Sequence, residues 1–236
     1  MGDEKRGVFY PYTPTEIGVK LLGCWVAGVV KPTCASPPPT HTGPMHCNVA
    51  LHDRETLLGQ QSLVVWLYGL SGAGKSTLAS RLIDDLHSAG LLTSSLDGDV
   101  LRTGLTRGLG FSPDDRTENL RRAAEAASLI ADTGAIVVCS FITPLCEHRQ
   151  MVRDIVGAGR FFDVYVRCPF EVCASRDVKG LYQRPPPNFT GRDSLFEEPV
   201  EPASLTIDTN LVTVDAAALT MLSATLSRGT VHLSSP

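Results

Sequence analysis

The chain lacks the cysteine and charge patterns that would assign it to several common classes of protein. Its seven cysteines are odd in number and form no Cys-x-x-Cys pair, so neither a zinc ribbon nor a closed disulfide framework is indicated. Lys and Arg total 21 against 25 Asp and Glu, which argues against a broad nucleic-acid surface. We expect a reducing, cytoplasmic setting and no nucleic-acid partner.

No apolar run long enough to cross a bilayer stands out either. Residues 17–30 form a run of 14 that is apolar apart from Lys20, whereas a spanning helix needs about 20 such residues. A secretory signal peptide is the alternative interpretation, but no convincing small-x-small cleavage site accompanies the run. We expect an appendage to the domain and no membrane association.

Composition changes near residue 46. Residues 1–45 are rich in proline, which predicts an extended linker of unknown role. We predict that one domain spans 46–230 and that 231–236 form a tail. A metal site built from Cys34, His41, His46 and Cys47 is an alternative, although their spacing matches no zinc pattern.

Short apolar runs alternate with helical segments from Leu63 onward. Strands are predicted at 63–68, 92–96, 136–141, 161–166 and 205–208. Helices are predicted at 75–89, from 113 to the residues before Gly134, and at 145–157, 169–176 and 214–227. Continuous apolar runs are typical of parallel strands covered on both faces. The alternation predicts an α/β domain with a doubly wound, mostly parallel five-stranded sheet and helices on both faces.

A glycine-rich loop lies between the first predicted strand and the first predicted helix. It matches the pattern G-x-x-x-x-G-K-[ST], in which glycines let backbone N–H groups surround phosphates at a helix N-terminus. Lys75 would neutralise the β- and γ-phosphates of ATP, and the Ser76 hydroxyl would ligate Mg²⁺. This predicts a P-loop NTPase fold that binds a nucleotide with Mg²⁺. The predicted nucleotide-binding residues are Gly69, Leu70, Ser71, Gly72, Ala73, Gly74, Lys75, Ser76 and Thr77. The alternative is a glycine-rich turn with a surface lysine.

Two carboxylates follow the second predicted strand. Asp97 and Asp99 lie at its carboxyl edge, where open α/β sheets bind ligands. A carboxylate there can hold Mg²⁺ or accept the proton of an attacking hydroxyl, and Arg102 can pair with a substrate phosphate. The alternative is an Asp-Gly turn with a solvated ion pair.

Further blocks of the chain resemble the adenylylsulfate kinases. They are GLSGAGKST (69–77), LDGD-x-x-R (96–102), LGFSPDDRTENLRR (109–122), SFITP (140–144), CASRDVKGLY (173–182) and FTGRDS (189–194). The resemblance extends from about residue 46 to residue 210, and this order and spacing of blocks is specific. It implies a kinase that transfers the ATP γ-phosphate to the 3′-hydroxyl of adenylyl sulfate, giving 3′-phosphoadenylyl sulfate in sulfate assimilation.

The resemblance also implies a role for each matching residue. The catalytic residues would be Lys75, Asp97, Asp99 and Thr143, the metal ligands Ser76 and Asp99, and a further ATP contact Arg176 at the base of a lid. The acceptor nucleotide would lie between the rings of Phe111 and Phe189. The full set of acceptor contacts would be Asp99, Arg102, Phe111, Arg116, Asn119, Ile142, Thr143, Lys179, Leu181 and Phe189. From the residues alone, Phe111 could instead pack in the core, and Arg116 could be a surface charge.

The chain departs from the family pattern in three places. Val100 stands where the family usually has Asn, and Thr143 where it usually has a Ser that can carry phosphate. The lid segment 183–188 is shorter and holds three prolines, which fix φ and remove hydrogen-bond donors. We therefore expect altered lid closure and reduced efficiency.

Two other functions stay open from the sequence. The chain could be a kinase for another small molecule, such as gluconate, shikimate or a nucleoside. It could also be a regulatory module that binds nucleotides without turnover. The resemblance further implies a homodimer and a functional link to ATP sulfurylase.

Overall fold

The computed structural model describes residues 49–185 and 188–229. Several parts of the chain for which the sequence makes predictions lie outside these ranges. They are the extension 1–45 with its run 17–30, the four residues of the alternative metal site, Pro186 and Pro187 of the lid, and the tail 231–236.

A five-stranded sheet forms the centre of the described part. Its strands are β1 (Leu63–Tyr68), β2 (Thr93–Asp97), β3 (Ile136–Ser140), β4 (Phe161–Arg167) and β5 (Leu205–Asp208). They lie in the order β2-β3-β1-β4-β5, and all four pairings are parallel. The doubly wound α/β prediction is therefore confirmed, with a fully parallel sheet in place of a mostly parallel one.

The two faces of the sheet pack against different helices. The helices are α1 (Leu51–Leu58), α2 (Lys75–Ser88), α3 (Gly98–Leu101), α4 (Pro113–Ala131), α5 (Cys146–Val156), α6 (Phe170–Arg176) and α7 (Val214–Gly229). Val65 and Leu67 of β1 lie in one core with residues of α2 and α7. Val64 and Trp66 lie in the other with residues of α4 and α5. Successive strand residues point to opposite faces, so both faces of β1 are buried and its apolar run is continuous.

The ends of the long helices follow from local residues. α4 begins as predicted, with Ser112 as the N-cap and Pro113 in the first turn, and the Ser112 Oγ accepts from Asp115 N at 3.2 Å. α2 ends before Gly90, whose φ of +81° suits glycine. The phosphate loop places the first turn of α2 at the carboxyl edge of the sheet, and α4 begins there at the Ser112 cap.

α1 was not predicted from the sequence. None of its residues is buried. A helix without a buried face has no regular spacing of apolar residues by which a sequence could reveal it. Its position is set by contacts distant in sequence, because Arg54 donates to the Asp132 carbonyl at the end of α4 and Glu55 accepts from Ser62 N. Within 49–185 and 188–229, no helix has both the length and the apolar character needed to cross a membrane.

Candidate active site

One cleft at the carboxyl edge of the sheet gathers most of the residues that the sequence singles out. The predicted residues along it are Ser71, Gly72, Gly74, Lys75, Ser76, Thr77, Asp97, Asp99, Arg102, Phe111, Arg116, Asn119, Ile142, Thr143, Lys179, Leu181 and Phe189. Four predicted residues do not line it. Gly69 and Ala73 form the base of the loop, Leu70 lines a neighbouring groove, and Arg176 donates to the Thr209 carbonyl at 2.8 Å.

The phosphate loop needs glycine where it leaves β1. Gly69 has a φ of +147°, and a Cβ at this position would overlap the Val166 carbonyl of the adjacent strand. Its N–H donates to the Ile142 carbonyl at 3.2 Å, which ties the loop to the segment after β3. At the other end, Gly74 has a φ of +100° and starts α2. The loop therefore has the backbone conformation that the motif predicts.

Lys75 is a buried cation that forms no ion pair with a carboxylate among the described residues. Its Nζ donates to the carbonyls of Gly69 at 3.0 Å and Leu70 at 2.7 Å. Burial, with a smaller contribution from the nearby Lys179, lowers the pKa of Lys75 to about 8. A bound polyphosphate would supply the negative charge that this ammonium group lacks.

Asp97 receives three hydrogen bonds at the end of β2. Ser140 Oγ donates at 2.6 Å, Ser76 Oγ at 3.0 Å and Asp99 N at 2.9 Å. Burial alone would raise the pKa of Asp97, but these hydrogen bonds outweigh it and hold the pKa below its usual value. The residue is a fixed, ionised carboxylate.

The Ser76 hydroxyl and the Asp97 carboxylate lie side by side and suit Mg²⁺. This ion prefers oxygen ligands and takes few of them from the protein. The predicted metal pair was Ser76 with Asp99, whereas the structure brings Asp97 to Ser76. Asp97 ends the strand, and Asp99 lies in α3 and faces the lid. Among the residues described, no cluster of three or more His, Cys, Asp or Glu could hold a metal by itself.

Asp99 forms an ion pair with Lys179 of the lid. Both side chains are at least half exposed, so the pair adds little to stability. We call the part of the cleft at the phosphate loop the donor half and the part at Phe111 and Phe189 the acceptor half. The contact places a lysine and a carboxylate where these two halves meet.

Phe111 and Phe189 line the acceptor half with different surroundings. Phe111 is 45% exposed, which excludes the alternative in which it packs in the core. The Arg102 guanidinium lies 4.3 Å from the centre of its ring. Phe189 is 4% exposed and meets the Tyr182 ring edge-on, with ring centres 4.9 Å apart. A planar base could use both rings as walls.

The polar groups of the acceptor half come from α4 and from the segment between α3 and α4. Arg102 donates to the carbonyls of Leu109 and Gly110, which fixes the loop before Phe111. Arg116 donates to Thr190 Oγ1 and the Asn188 carbonyl beside Phe189, so it is not a simple surface charge. Asn119 is buried, and its Oδ1 has no hydrogen-bond partner within the described residues. Such a group is available to a ligand donor.

Thr143 occupies a strained backbone position. Its φ is +45°, unusual for a β-branched residue, and its Oγ1 accepts from the buried indole of Trp66 at 2.9 Å. Thr143 is 1% exposed. The hydroxyl predicted to act in catalysis thus accepts a hydrogen bond from the core, and Thr143 lines the wall of the cleft together with Ile142.

The described residues of the lid, 176–185 and 188–189, contact both halves of the cleft. Asp177 accepts from Tyr182 N at 2.9 Å and Gln183 N at 3.1 Å, which closes a tight turn. From this turn Lys179 reaches Asp99, and the Tyr182 hydroxyl donates to the Ser71 carbonyl at 2.7 Å. The shorter lid thus still contacts the phosphate loop and the acceptor side.

The sequence missed three residues that organise the site: Ser140, Trp66 and Tyr182. Ser140 and Tyr182 stand inside recognised blocks, and Trp66 lies in the first strand. Each bonds to a residue far away in the sequence. Ser140 bonds to Asp97 over 43 positions, Trp66 to Thr143 over 77, and Tyr182 to Ser71 over 111. Only the folded chain brings these groups together.

Comparison with known proteins adds an independent finding. The family model described as Adenylylsulphate kinase matches residues 61–208. The adenylyl-sulfate kinase of Phocaeicola vulgatus is 46% identical over 178 residues, which cover 74% of this chain and 87% of that protein. The enzyme of the same name from Citrobacter koseri is 49% identical over 158 residues, covering 65% and 79%. Among solved structures, the APS kinase of Mycobacterium tuberculosis in complex with AMPPNP and APS is similar with a TM-score of 0.66 and 39% identity, covering 70% of this chain and 97% of that one.

Proposed function

Because the chain belongs to the adenylylsulphate kinase family, we propose that it phosphorylates the 3′-hydroxyl of adenylyl sulfate with ATP. The products are 3′-phosphoadenylyl sulfate and ADP. The observation that carries this proposal is the convergence of two sets of groups in one cleft. A phosphate loop with a buried lysine lies at one end, and two phenylalanine rings with Arg116 and Asn119 lie at the other.

The donor half binds ATP. The loop N–H groups and the start of α2 surround its phosphates, and Lys75 neutralises charge on the β- and γ-phosphates. Ser76 and Asp97 would hold Mg²⁺, which supplies charge neutralisation at the phosphates. Ser140 keeps the Asp97 carboxylate ionised and oriented. We assign Arg176, held at Thr209, to the outer part of the nucleotide site.

The acceptor half binds adenylyl sulfate. The adenine lies between Phe111 and Phe189, Arg116 and Arg102 attract the phosphosulfate, and the free Asn119 Oδ1 accepts from a ribose or base donor. The 3′-oxygen then forms a bond to the γ-phosphorus as the bond from that phosphorus to the bridging oxygen of ADP breaks. Asp99 accepts the hydroxyl proton, and Lys179 stabilises charge on the transferring group. The lid keeps water away from the γ-phosphate.

An acceptor panel tests this function. Purified full-length protein is incubated with MgATP and, in separate reactions, adenylyl sulfate, gluconate, shikimate or adenosine, and ADP release is measured. We expect adenylyl sulfate to stimulate ADP release and the other three to have no effect. Stimulation by another acceptor instead would favour the rival small-molecule kinases. Tight binding of ATP and adenylyl sulfate without any ADP release would favour the regulatory module.

Assembly, partners and compartment complete the proposal. The family resemblance supports a homodimer that works beside an ATP sulfurylase, the enzyme that would supply adenylyl sulfate. The free thiols of Cys139, Cys146, Cys168 and Cys173 support a reducing, cytoplasmic compartment. Light scattering coupled to size-exclusion chromatography measures the assembly, and a mass of one chain would contradict the dimer.

A further inference from the structure

Tyr182 is the one lid side chain that contacts the phosphate loop and an acceptor ring at once within the described residues. Its hydroxyl donates to the Ser71 carbonyl. Its ring meets Phe189 edge-on at 4.9 Å and Phe170 of α6 at 5.3 Å, with interplanar angles of 87° and 68°. Burial raises the pKa of Tyr182 above its usual value, so the hydroxyl keeps its proton and stays a donor.

The hydrogen bond to Ser71 also fixes a neighbouring amide. In a trans peptide the carbonyl of one residue and the N–H of the next point in opposite directions. Holding the Ser71 carbonyl on the lid side therefore sets the direction of the Gly72 N–H, and Gly72 lines the cleft. Gly72 has a φ of +77°, a conformation in which glycine can change its peptide orientation with little steric resistance. The Tyr182 contact adds to the hydrogen bond from Ala73 N to the Leu70 carbonyl, which closes this turn, and favours one orientation of the peptide.

The ring contact acts on the acceptor half. Phe189 follows the proline-containing segment of the lid, and its carbonyl accepts from Arg192 N, Asp193 N and Ser194 N, which hold its backbone. The Tyr182 ring supports one edge of Phe189, and the Asp177 turn fixes the backbone of Tyr182. Edge-on aromatic contacts of this kind stabilise a specific ring orientation.

We propose that Tyr182 is a positioning residue that couples the two halves of the site, a role that rests on the proposed kinase function. Its hydroxyl sets the phosphate loop for ATP, and its ring sets Phe189 for adenylyl sulfate. Contact with either nucleotide thereby favours the arrangement that the other one needs.

Two substitutions separate the hydroxyl from the ring. Tyr182→Phe keeps the ring and removes the hydrogen bond to Ser71, and Tyr182→Leu removes both. Tyr165→Phe is the matched control, because Tyr165 stacks on Tyr68 and Phe196 outside the cleft. For each full-length variant, calorimetry measures binding of AMPPNP and of adenylyl sulfate, each alone and with the other present. Initial rates give KM and kcat, and thermal unfolding monitors the fold.

For Tyr182→Phe we expect AMPPNP affinity and the KM for ATP to worsen by about three- to tenfold, as for the loss of one hydrogen bond. Binding of adenylyl sulfate alone should stay unchanged. Tyr182→Leu should weaken both ligands and abolish their mutual enhancement, while Tyr165→Phe matches the wild type.

The proposal is overturned if Tyr182→Phe binds AMPPNP like the wild type, or if it weakens both ligands equally. Because Tyr182→Phe preserves the ring, it decides the outcome even if Tyr182→Leu does not fold. A wild-type protein that makes no product from adenylyl sulfate would contradict the proposed function, whereas the AMPPNP affinities of wild type and Tyr182→Phe would still test the contact with the phosphate loop.

Discussion

At the scale of single residues, Lys75 shows how the fold prepares a charge for its substrate. The ammonium group is buried, and its recorded hydrogen bonds are to two loop carbonyls. Its pKa of about 8 lies well below the usual value for lysine. The buried charge therefore destabilises the substrate-free protein, and bound phosphates remove that cost.

Replacing this charge should stabilise the fold and abolish the reaction. The depressed pKa means that between about pH 8 and 10.5 the unfolded chain binds more protons, so the free energy of unfolding rises with pH across that window. We expect Lys75→Met to increase the free energy of unfolding at pH 7 by about 1–3 kcal/mol, with a smaller increase above pH 9. Phosphoryl transfer should be lost. Urea denaturation at both pH values and a transfer assay measure this; an equal or lower stability of the variant at pH 7 would contradict it.

The acceptor residues should affect one substrate only. Arg116→Ala and Phe111→Ala are each expected to raise the KM for adenylyl sulfate by about tenfold or more, because a charged contact or a stacking wall is lost. AMPPNP affinity should stay within about twofold, since the described contacts of these two side chains with other residues are with Arg102, Thr190 and Asn188 and not with the phosphate loop. Calorimetry with each ligand checks this. An equal loss for both ligands would show that the two residues act on the whole site.

Residue roles could be predicted from the sequence only where a motif carries them. Lys75 and Ser76 were assigned because the glycine-rich pattern fixes their chemistry. The catalytic role of Thr143 came from its match to a family block in which Ser is usual, and the sequence cannot show that Trp66 donates to its hydroxyl. The same limit applies to Asp97, whose serine partners come from the start of α2 and the end of β3.

Among the elements, the lid shows the largest difference between what the sequence predicts and the contacts that the structure has. Its short length suggests too little chain to cross the cleft, and its three prolines suggest a stiff, extended conformation. The contacts of Lys179 and Tyr182 nevertheless join it to α3 and to the phosphate loop. Reduced catalytic efficiency stays a prediction. Since the lid contacts both sides of the cleft, its cause would be slower opening and closing of the lid.

Lys179 should contribute to turnover and not to stability. Its ion pair with Asp99 is at least half exposed on both sides, so Lys179→Ala should change the free energy of unfolding by less than about 1 kcal/mol. Transfer should fall by at least about tenfold, because a charge near the reacting phosphate is lost. ATP hydrolysis without acceptor should become a larger share of ADP release. Arg81→Ala, which breaks exposed ion pairs with Asp85 and Asp215, is the control and should keep full activity. Unchanged transfer by Lys179→Ala would contradict the assignment.

Elements were predicted where burial leaves a local pattern. β1 and β3 are buried along their whole length, and their apolar runs identified them. α1 buries nothing, and α3 is a single turn after Asp97, so neither has a period that a sequence can show. The position of α1 depends on a distant partner, Asp132.

At the scale of the whole molecule, the domain boundary is open to test. Deletion of residues 1–48 should leave a folded and active protein, because proline-rich segments such as this one contribute little to a core and domain boundaries fall in them. Deletion of residues 1–60 should cost at least about 3 kcal/mol. It removes Gln60, which is 1% exposed and bonds Gly134 O, Leu92 O and Leu92 N. Thermal unfolding of the two truncated proteins compares them with the full chain, and comparable losses in both would place the boundary elsewhere.

In the proposed reaction, this cleft transfers the γ-phosphoryl group from ATP to the 3′-oxygen of adenylyl sulfate. The most direct measurement incubates full-length protein with MgATP and adenylyl sulfate and identifies the product by mass spectrometry and phosphorus NMR. We predict 3′-phosphoadenylyl sulfate and ADP in equal amounts, dependent on both substrates and absent with Lys75→Ala. Release of ADP without a phosphorylated adenylyl sulfate, or the same product from Lys75→Ala, would contradict the account.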